Sequence, residues 1–263
     1  MLCYHAARSG WSEELTSFHE ESAGSHHYMD RASRRSAIQS LGAVLSKRVP
    51  VVLEIGCSSG YFLAALKEQA PHAFVIGADY IADPLFQLSA RLPGVPLLQF
   101  DLTRCPFEES VFDGIVALNV LEHIEDDELA LKKVYRMLKP GGVAVIEVPA
   151  APHLFDYYDS HLMHFRRYAL KPLVELAQDT GFHIQRASHL GCFLYPAFAI
   201  TKKVNQRKSA SLSNRERQQL VSQDIQTGAG NPLLHGLMNL ELTLGRYIRY
   251  PFGIRCLLVA KKE

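Results

Sequence analysis

Residues 53–62 read LEIGCSSGYF: an apolar run that ends on Gly56, a short polar turn, and a second glycine at Gly60. A run of this kind, closed by a glycine turn, predicts a buried strand leading into a helix over a nucleotide-binding loop. The dinucleotide fingerprint G-x-G-x-x-G lets the backbone approach a pyrophosphate at three fixed places. Here the first place holds Gly56, but the second holds Ser58 and the third Tyr61, with Gly60 falling between them. The loop therefore argues for a nucleoside without a pyrophosphate, and against a nicotinamide-dependent oxidoreductase.

Working outward, the same alternation continues. Strand-like runs at 50–55 (PVVLEI), 73–78 (AFVIGA), 95–100 (VPLLQF), 112–118 (FDGIVAL) and 142–148 (GVAVIEV) are separated by helical patterns at 60–70, 82–91 and 126–138. A further helix is expected over 30–48, with Asp30 as its N-cap. Strands alternating with helices predict βαβ units and a parallel sheet covered on both faces. Right-handed crossovers then place every strand's carboxyl end along one edge, where such sheets bind their ligands. Gly56, Asp79, Asp101 and Asn119 all fall at or just past strand ends. After residue 150, a helix over 170–180 stops at Gly181, and strands are expected at 182–189 and in PFGIRCLLVAKK (251–262). About sixty residues between them are too many for a connection in a compact sheet and mark an insertion.

Composition sets limits. The 263 residues are 48% hydrophobic, with a formal net charge of +1. That suffices for a sizeable core and supplies no general phosphate-binding charge, so nucleic acid is not expected as a partner. Five cysteines, at 3, 57, 105, 192 and 256, form no CxxC pair. They point to reduced thiols in a cytoplasmic setting. The opening MLCYHAARSGWSEEL carries charges where a signal peptide needs an apolar core, and no apolar run approaches the ~18–20 residues of a membrane span.

At the sheet edge, Asp79 is placed to accept two hydrogen bonds from a ribose diol. Asp101 is placed to receive an exocyclic amine, with Leu102 covering the base. Asp113, inside the fourth strand segment, reads as a partner of a helix or loop rather than a ligand contact.

The pieces VLEIGCSSGYF (52–62), Asp79, FDL (100–102), VFDGIVALNVLEHI (111–124) and LKPGGVAVIEVP (138–149) resemble class I S-adenosylmethionine (SAM) dependent methyltransferases over roughly residues 28–192. PFGIRCLLVAKK is similar to the closing antiparallel strand of that fold. The resemblance implies an α/β, Rossmann-like, seven-stranded, mostly parallel sheet with an antiparallel last strand and helices on both faces. It also implies SAM as cofactor and S-adenosylhomocysteine as product. Carried onto this sequence, the cofactor residues are Glu54, Gly56, Ser58, Gly60, Asp79, Tyr80, Asp101, Leu102, Asn119 and Val120. Where the family commonly has glycine between the loop glycines, this chain has Ser58. Serine fits there at negative φ and strains the loop at positive φ, and tolerance is expected.

Methyl transfer is an in-line displacement, so the protein must align the reactants and take up the acceptor's proton. Histidine is the natural base near neutral pH. His123, His161 and His164 are the catalytic candidates, and Tyr28, Arg166 and Tyr168 are candidates for binding the acceptor. In DSHLMHFRRY, His161 and His164 would share a face if the segment is helical, yet no third metal ligand stands out, and no metal is expected. Tyr28 and Met29, in a stretch that would fold over the cofactor, are the expected covering residues, with Arg34 or Arg35 available for an anion.

The division expected is an N-terminal helical lid over 1–48, a SAM-binding core over 49–192, an insertion or cap over 193–250, and the last strand over 251–263. Within 201–220 of the insertion, Lys202, Lys203, Arg207, Lys208, Arg215 and Arg217 face a single acid, Glu216. Beside CFLYPAFAI, this suggests peripheral contact through 193–220 with an anionic membrane, or a grip on a lipid-linked substrate. The expected activity is methyl transfer to O or N of a small-molecule or carrier- or lipid-linked acceptor, with glycans and secondary metabolites leading. RNA or protein methylation ranks lower. The alternative is a catalytically inactive binding or scaffold protein of the same fold.

Overall fold

A computed structural model of the chain describes residues 2–3, 27–208 and 231–263. Its strands are β1 (Leu2–Cys3), β2 (Val51–Ile55), β3 (Phe74–Asp79), β4 (Leu97–Gln99), β5 (Phe112–Leu118), β6 (Leu138–Pro149), β7 (His183–Leu190) and β8 (Arg255–Lys261). They form one sheet in the order β1-β4-β3-β2-β5-β6-β8-β7, with β8 antiparallel to both of its neighbours. The seven-stranded, mostly parallel sheet expected from the sequence is present. The two-residue strand Leu2–Cys3 adds an eighth at the edge, paired with Leu98 and Gln99, and a dipeptide that short leaves no periodic pattern to read.

The central strands bury both faces, which is why they read as near-continuous apolar runs rather than alternating ones. Leu53, Ile55, Ile115, Ala117, Ala144 and Ile146 point into one core. Val52, Val116, Val143 and Val145, one residue out of step, point into the other. Helices cover both. Helix Asp127–Met137 starts because the Asp126 carboxylate accepts the Leu129 N–H at 2.9 Å, and it buries Ala130, Leu131, Val134 and Met137 on one stripe. Helix Tyr61–Gln69 begins at Gly60, which sits at φ +70, and buries Phe62, Leu63 and Leu66.

The helix expected over 30–48 instead runs Tyr28–Ser40 and, after a break at Leu41, Gly42–Leu45. Its N-cap is His27 rather than Asp30, whose carboxylate pairs with Arg255 at 2.7 Å. An acid three residues into a helix reads as a cap until a distant cation claims it. The insertion is helical at Tyr195–Lys208 and Pro232–Leu244. Helix Pro232–Leu244 packs on Tyr28–Ser40 through Met29, Ala32, Met238 and Leu242. The buried Glu241 carboxylate accepts the N–H groups of Gly191, Cys192 and Phe193 at 2.6–3.1 Å and so pins the insertion's entry to the core.

Asp113 is a structural clamp. Its buried carboxylate accepts Lys47 Nζ at 2.6 Å, Lys139 Nζ at 2.8 Å and the Val51 N–H at 3.0 Å. Burial alone would raise its pKa, but the two lysine hydrogen bonds outweigh burial and hold it at about 2. A folded pKa below the unfolded value stabilises the protein above pH ~4, here by about 2 kcal/mol, and the contribution disappears as pH falls toward 2. Asp113→Asn should therefore lower stability at pH 7 by about that amount and flatten the acid limb between pH 4 and 2. Urea unfolding of both proteins across that range measures it, and parallel acid limbs would refute the clamp.

Candidate functional site

The carboxyl ends of β2, β3, β4 and β5 line up along one edge. The loop after β2 is built for close backbone approach, with Gly56 at φ +73 and Gly60 at φ +70. A Cβ on Gly56 would lie 2.6 Å from Val120 Cγ2, and one on Gly60 would lie 2.3 Å from Leu88 Cδ1. Ser58 sits at φ +41, so the serine occupies the left-handed region where it is strained. Its N–H donates to Asp79 Oδ2 at 2.9 Å, while Asp79 Oδ1 accepts the Ile81 N–H at 3.0 Å. These two bonds hold the loop and the carboxylate against each other. On the next strand end, Asp101 caps the turn Leu102–Arg104, and Thr103 donates both of its bonds to Oδ1. Leu102 is buried beside it. The Tyr80 carbonyl accepts from Gln99 Nε2 at 3.1 Å, Asn119 stands at φ +55, and Val120 lies over Gly56.

A cavity of about 140 Å³ opens between this loop and helix Tyr28–Ser40. Asp30, Ser33, Arg34, Glu54, Asn119 and Arg255 supply its polar lining. It is smaller than the ~300 Å³ of a pocket that encloses a drug-sized ligand, so it suits one end of a molecule whose remainder runs along the sheet edge past Asp79 and Asp101. Glu54 is buried, and its Oε2 has no hydrogen-bond partner among the described residues. Burial and the nearby Asp79 charge push its pKa well up. A buried acceptor with nothing to accept suits an ammonium group, and Arg34 on the same wall suits a carboxylate. Bare glycine backbone, Glu54, Asp79 and Asp101 thus fit a ligand with an amino acid at one end and a nucleoside at the other.

Behind the cavity lies a network the sequence reading missed. Ser33 Oγ donates to Glu147 Oε1 at 2.5 Å, and Arg255 donates to Glu147 at 2.9 Å, to Ser33 and to Asp30 at 2.7 Å. It ties β6, β8 and the N-terminal helix together. The signal was a lone acid in an apolar strand, VAVIEV, and only the fold supplies its arginine. Burial by itself would lower the Arg255 pKa, but Asp30 and Glu147 raise it.

The residues expected to form a lid divide. Arg34 lines the cavity, whereas Arg35 Nη1 donates to Asn239 Oδ1 on the insertion. Met29 is buried against Met238 and Leu242, and the partly buried Tyr28 packs on the same cluster, so neither lines the cavity. Both face the cap because helix Pro232–Leu244 of the insertion covers that side, a packing that the helical pattern of each segment did not reveal.

On the acceptor side, Leu121–His123 form a single turn after β5. The pair His161 and His164 does not share a helical face: the helix is Tyr157–His161, and Met163 at φ +54 breaks it. His164 instead packs edge-on against His123, with ring centroids 4.6 Å apart. Its Nδ1 lies 3.0 Å from Asp159 Oδ1. Burial lowers the His164 pKa, against the opposing pull of Asp159. His161 is half-buried at its helix end, and its pKa is also lowered by burial.

Arg166 pairs with Asp127 at 2.7 Å and donates to the Glu125 carbonyl at 2.6 Å. Tyr168 is buried in the main core, with its hydroxyl 2.8 Å from Asp127 Oδ2. A tyrosine so engaged braces the loop rather than facing a ligand, which its place in the sequence did not reveal. Glu122, passed over in the sequence reading although it is the one acid in VLEHI, is fully buried, and neither carboxylate oxygen has a hydrogen-bond partner among the described residues. Burial raises its pKa to about 8.

Lys202 corrects the picture of a basic surface run. It is buried, and its Nζ lies 2.7 Å from Asp156 and 3.2 Å from Asp159. Lys203 and Arg207 are exposed, while the side chain of Lys208 and residues Arg215, Glu216 and Arg217 lie outside the described residues. No helix among the described residues is long and apolar enough to cross a membrane.

Comparison with known proteins finds methyltransferases similar to this chain in sequence and in fold. Residues 53–146 match the model of a methyltransferase domain. A probable S-adenosylmethionine-dependent methyltransferase of Mycolicibacterium smegmatis is 30% identical over 136 residues, 51% of this chain and 52% of that protein. A demethylmenaquinone methyltransferase of Thermus thermophilus is 34% identical over 125 residues, 45% of this chain and 55% of that protein. The chain spans about half the length of these curated relatives. The crystal structure of a putative sarcosine dimethylglycine methyltransferase from Galdieria sulphuraria superposes with a TM-score of 0.65, covering 95% of this chain and 99% of that one at 14% identity. At that identity the match speaks to the fold.

Proposed function

The chain carries a class I S-adenosylmethionine-dependent methyltransferase domain, and from that premise we propose that the protein transfers the methyl group of SAM to an oxygen or nitrogen of a small-molecule or lipid-linked acceptor. The observation that carries the reading is the orphaned Glu54 acceptor, set in a cavity walled by Gly56 and Gly60 at the sheet edge on which Asp79 ends β3 and Asp101 follows β4. Glu54 would hold the ammonium end, Arg34 the carboxylate, Asp79 the ribose diol, and Asp101 with Leu102 the adenine. When bound, the cofactor supplies a sulfonium-activated methyl group. The remaining work falls to the chain: exclude water with the N-terminal helix, align the acceptor, and take its proton.

His164 is suited to the last task. An ionised Asp159 can only accept, so His164 Nδ1 must carry the hydrogen, which leaves Nε2 as the base. With its pKa lowered by burial, the ring stays neutral near pH 7 and ready for a proton.

For the acceptor, nine of the fourteen exposed large apolar side chains among the described residues lie between 193 and 252, on the insertion and its exit. That concentration, beside exposed Lys203 and Arg207, supports an apolar, carrier-linked acceptor presented near an anionic surface. A relative named for demethylmenaquinone supports the apolar character of that acceptor.

The test is calorimetric titration with SAM and with S-adenosylhomocysteine, followed by transfer of labelled methyl groups to soluble and to detergent-dispersed lipid-linked acceptors. One site per chain for each ligand, with labelling of the dispersed acceptors, is expected. A folded protein that binds neither ligand would sink the reading.

A further inference from the structure

We propose that Glu122, His123 and His164 form a binding site for a divalent transition-metal ion of the Zn2+ class. The three residues come from the turn after β5 and from the loop beyond helix Tyr157–His161, and one ligand-capable atom of each lies within 4.8 Å of the others. Two imidazoles and one carboxylate are a donor set that zinc and its neighbours accept, with one coordination position left open.

Two further observations point to a cation. The first is Glu122. Its carboxyl is fully buried, and neither oxygen has a hydrogen-bond partner among the described residues. A buried polar group left without a partner costs several kcal/mol, and a bound cation would offset that cost. The nearby cations are committed elsewhere: Arg255 to Glu147 and Asp30, Arg167 to Asp159 and the Ala150 carbonyl, and Lys202 to Asp156 and Asp159.

The second is the support behind His164. Its Nδ1 is bonded to Asp159 Oδ1 at 3.0 Å, which directs Nε2 to any ligand. Asp159 is in turn fixed by Arg167 at 2.9 Å and by Lys202 at 3.2 Å. A carboxylate behind a ligating histidine is the usual means of setting its tautomer and orientation at a metal. The Phe165 N–H donates to the Glu122 carbonyl at 2.8 Å, so the two segments that supply the ligands are already joined. Ligand atoms around tetrahedral zinc stand about 3.3 Å apart, so the three must draw together by at most about 1.5 Å from their present 4.8 Å.

The pair His161 and His164 lacks this third donor. Tertiary structure exchanges His161 for two residues forty positions earlier in the chain. Within the methyltransferase reading, His164 Nε2 is the base only in the metal-free protein; with the ion bound it is a ligand, and the open position would receive an acceptor oxygen and favour loss of its proton to solvent. Metal binding itself does not depend on that reading.

The test is therefore made without SAM. Full-length protein is stripped with a chelator and checked for fold by circular dichroism. It is then titrated with ZnCl2 against a competing indicator, and with Co2+ followed by its visible absorption bands. Wild type should bind one ion per chain with tetrahedral-type Co2+ bands. Glu122→Gln, His123→Gln and His164→Ala should each weaken binding at least ~10-fold, and His161→Ala should change it less than ~2-fold. SAM titration of the stripped protein separates this claim from the functional one, because loss of either binding leaves the other intact. The site is overturned if folded, stripped wild type binds neither Zn2+ nor Co2+, if the three variants keep wild-type affinity, or if binding follows His161 instead of Glu122.

Discussion

Alanine at Asp79 is expected to abolish measurable SAM binding while the chain stays folded. The Asp79 carboxylate stands at the end of β3, each oxygen already oriented by one backbone N–H, from Ser58 and from Ile81. A carboxylate oxygen has room for a second hydrogen bond, so both can still receive a ribose hydroxyl. Two charge-assisted bonds at about 1.5–3 kcal/mol each predict a loss of ~10²-fold or more in affinity. Losing the bond to Ser58 adds to this, because a serine at φ +41 stays there only while its surroundings hold it. Asp79→Asn keeps the shape but not the charge and should fall between alanine and wild type. Calorimetry with SAM and S-adenosylhomocysteine measures the affinities, and a thermal melt of the free protein separates lost contact from lost fold. Binding within three-fold of wild type in a folded Asp79→Ala would remove Asp79 from the site.

The largest loss of stability is expected from Asp159→Ala. Asp159 has no exposed side-chain surface and bonds Arg167, Lys202 and His164, the first two also buried. Burial alone would raise its pKa, but His164 and the two cations outweigh burial and bring it below the usual carboxylate range. Deleting one member of a buried charge cluster costs about 3–5 kcal/mol, because the partners stay buried without compensation. Asp156, 2.7 Å from Lys202, compensates only that lysine. Since Lys202 belongs to the insertion helix Tyr195–Lys208 and Asp159 to the core, the variant should also loosen the cap. Urea unfolding reads the first effect, and hydrogen exchange over 195–207 reads the second. A change below about 1 kcal/mol would mean that water or rearrangement already serves these charges.

Much of the architecture was legible along the chain because it rests on local rules. Apolar runs separated by amphipathic stretches specify strands and helices, and a glycine turn after the first core strand marks the ligand edge. Asp79 and Asp101 could be picked out because a strand's carboxyl end is a position in sequence as well as in space. Asp113 was legible as a structural partner for a similar reason: it lies inside a strand, away from the edge.

What failed to show were relations between distant positions. His161 and His164 are three residues apart, yet a left-handed Met163 separates them and a packing contact gives His164 to His123. Lys202 reads as one of a surface run, yet it enters the core because Asp156 and Asp159 are there to receive it. Arg255 lies 225 positions from Asp30 and 108 from Glu147, and no local pattern announces their meeting. The sequence by itself determined the order of strands and helices, the sheet edge that carries the candidate site and the family resemblance, since each follows from spacing along the backbone. The buried charge networks, the cap's seat on the N-terminal helix and the Glu122–His123–His164 cluster were decided only by tertiary structure. A buried charge is tolerable only beside its counter-charge, and that neighbour is chosen by packing rather than by sequence distance.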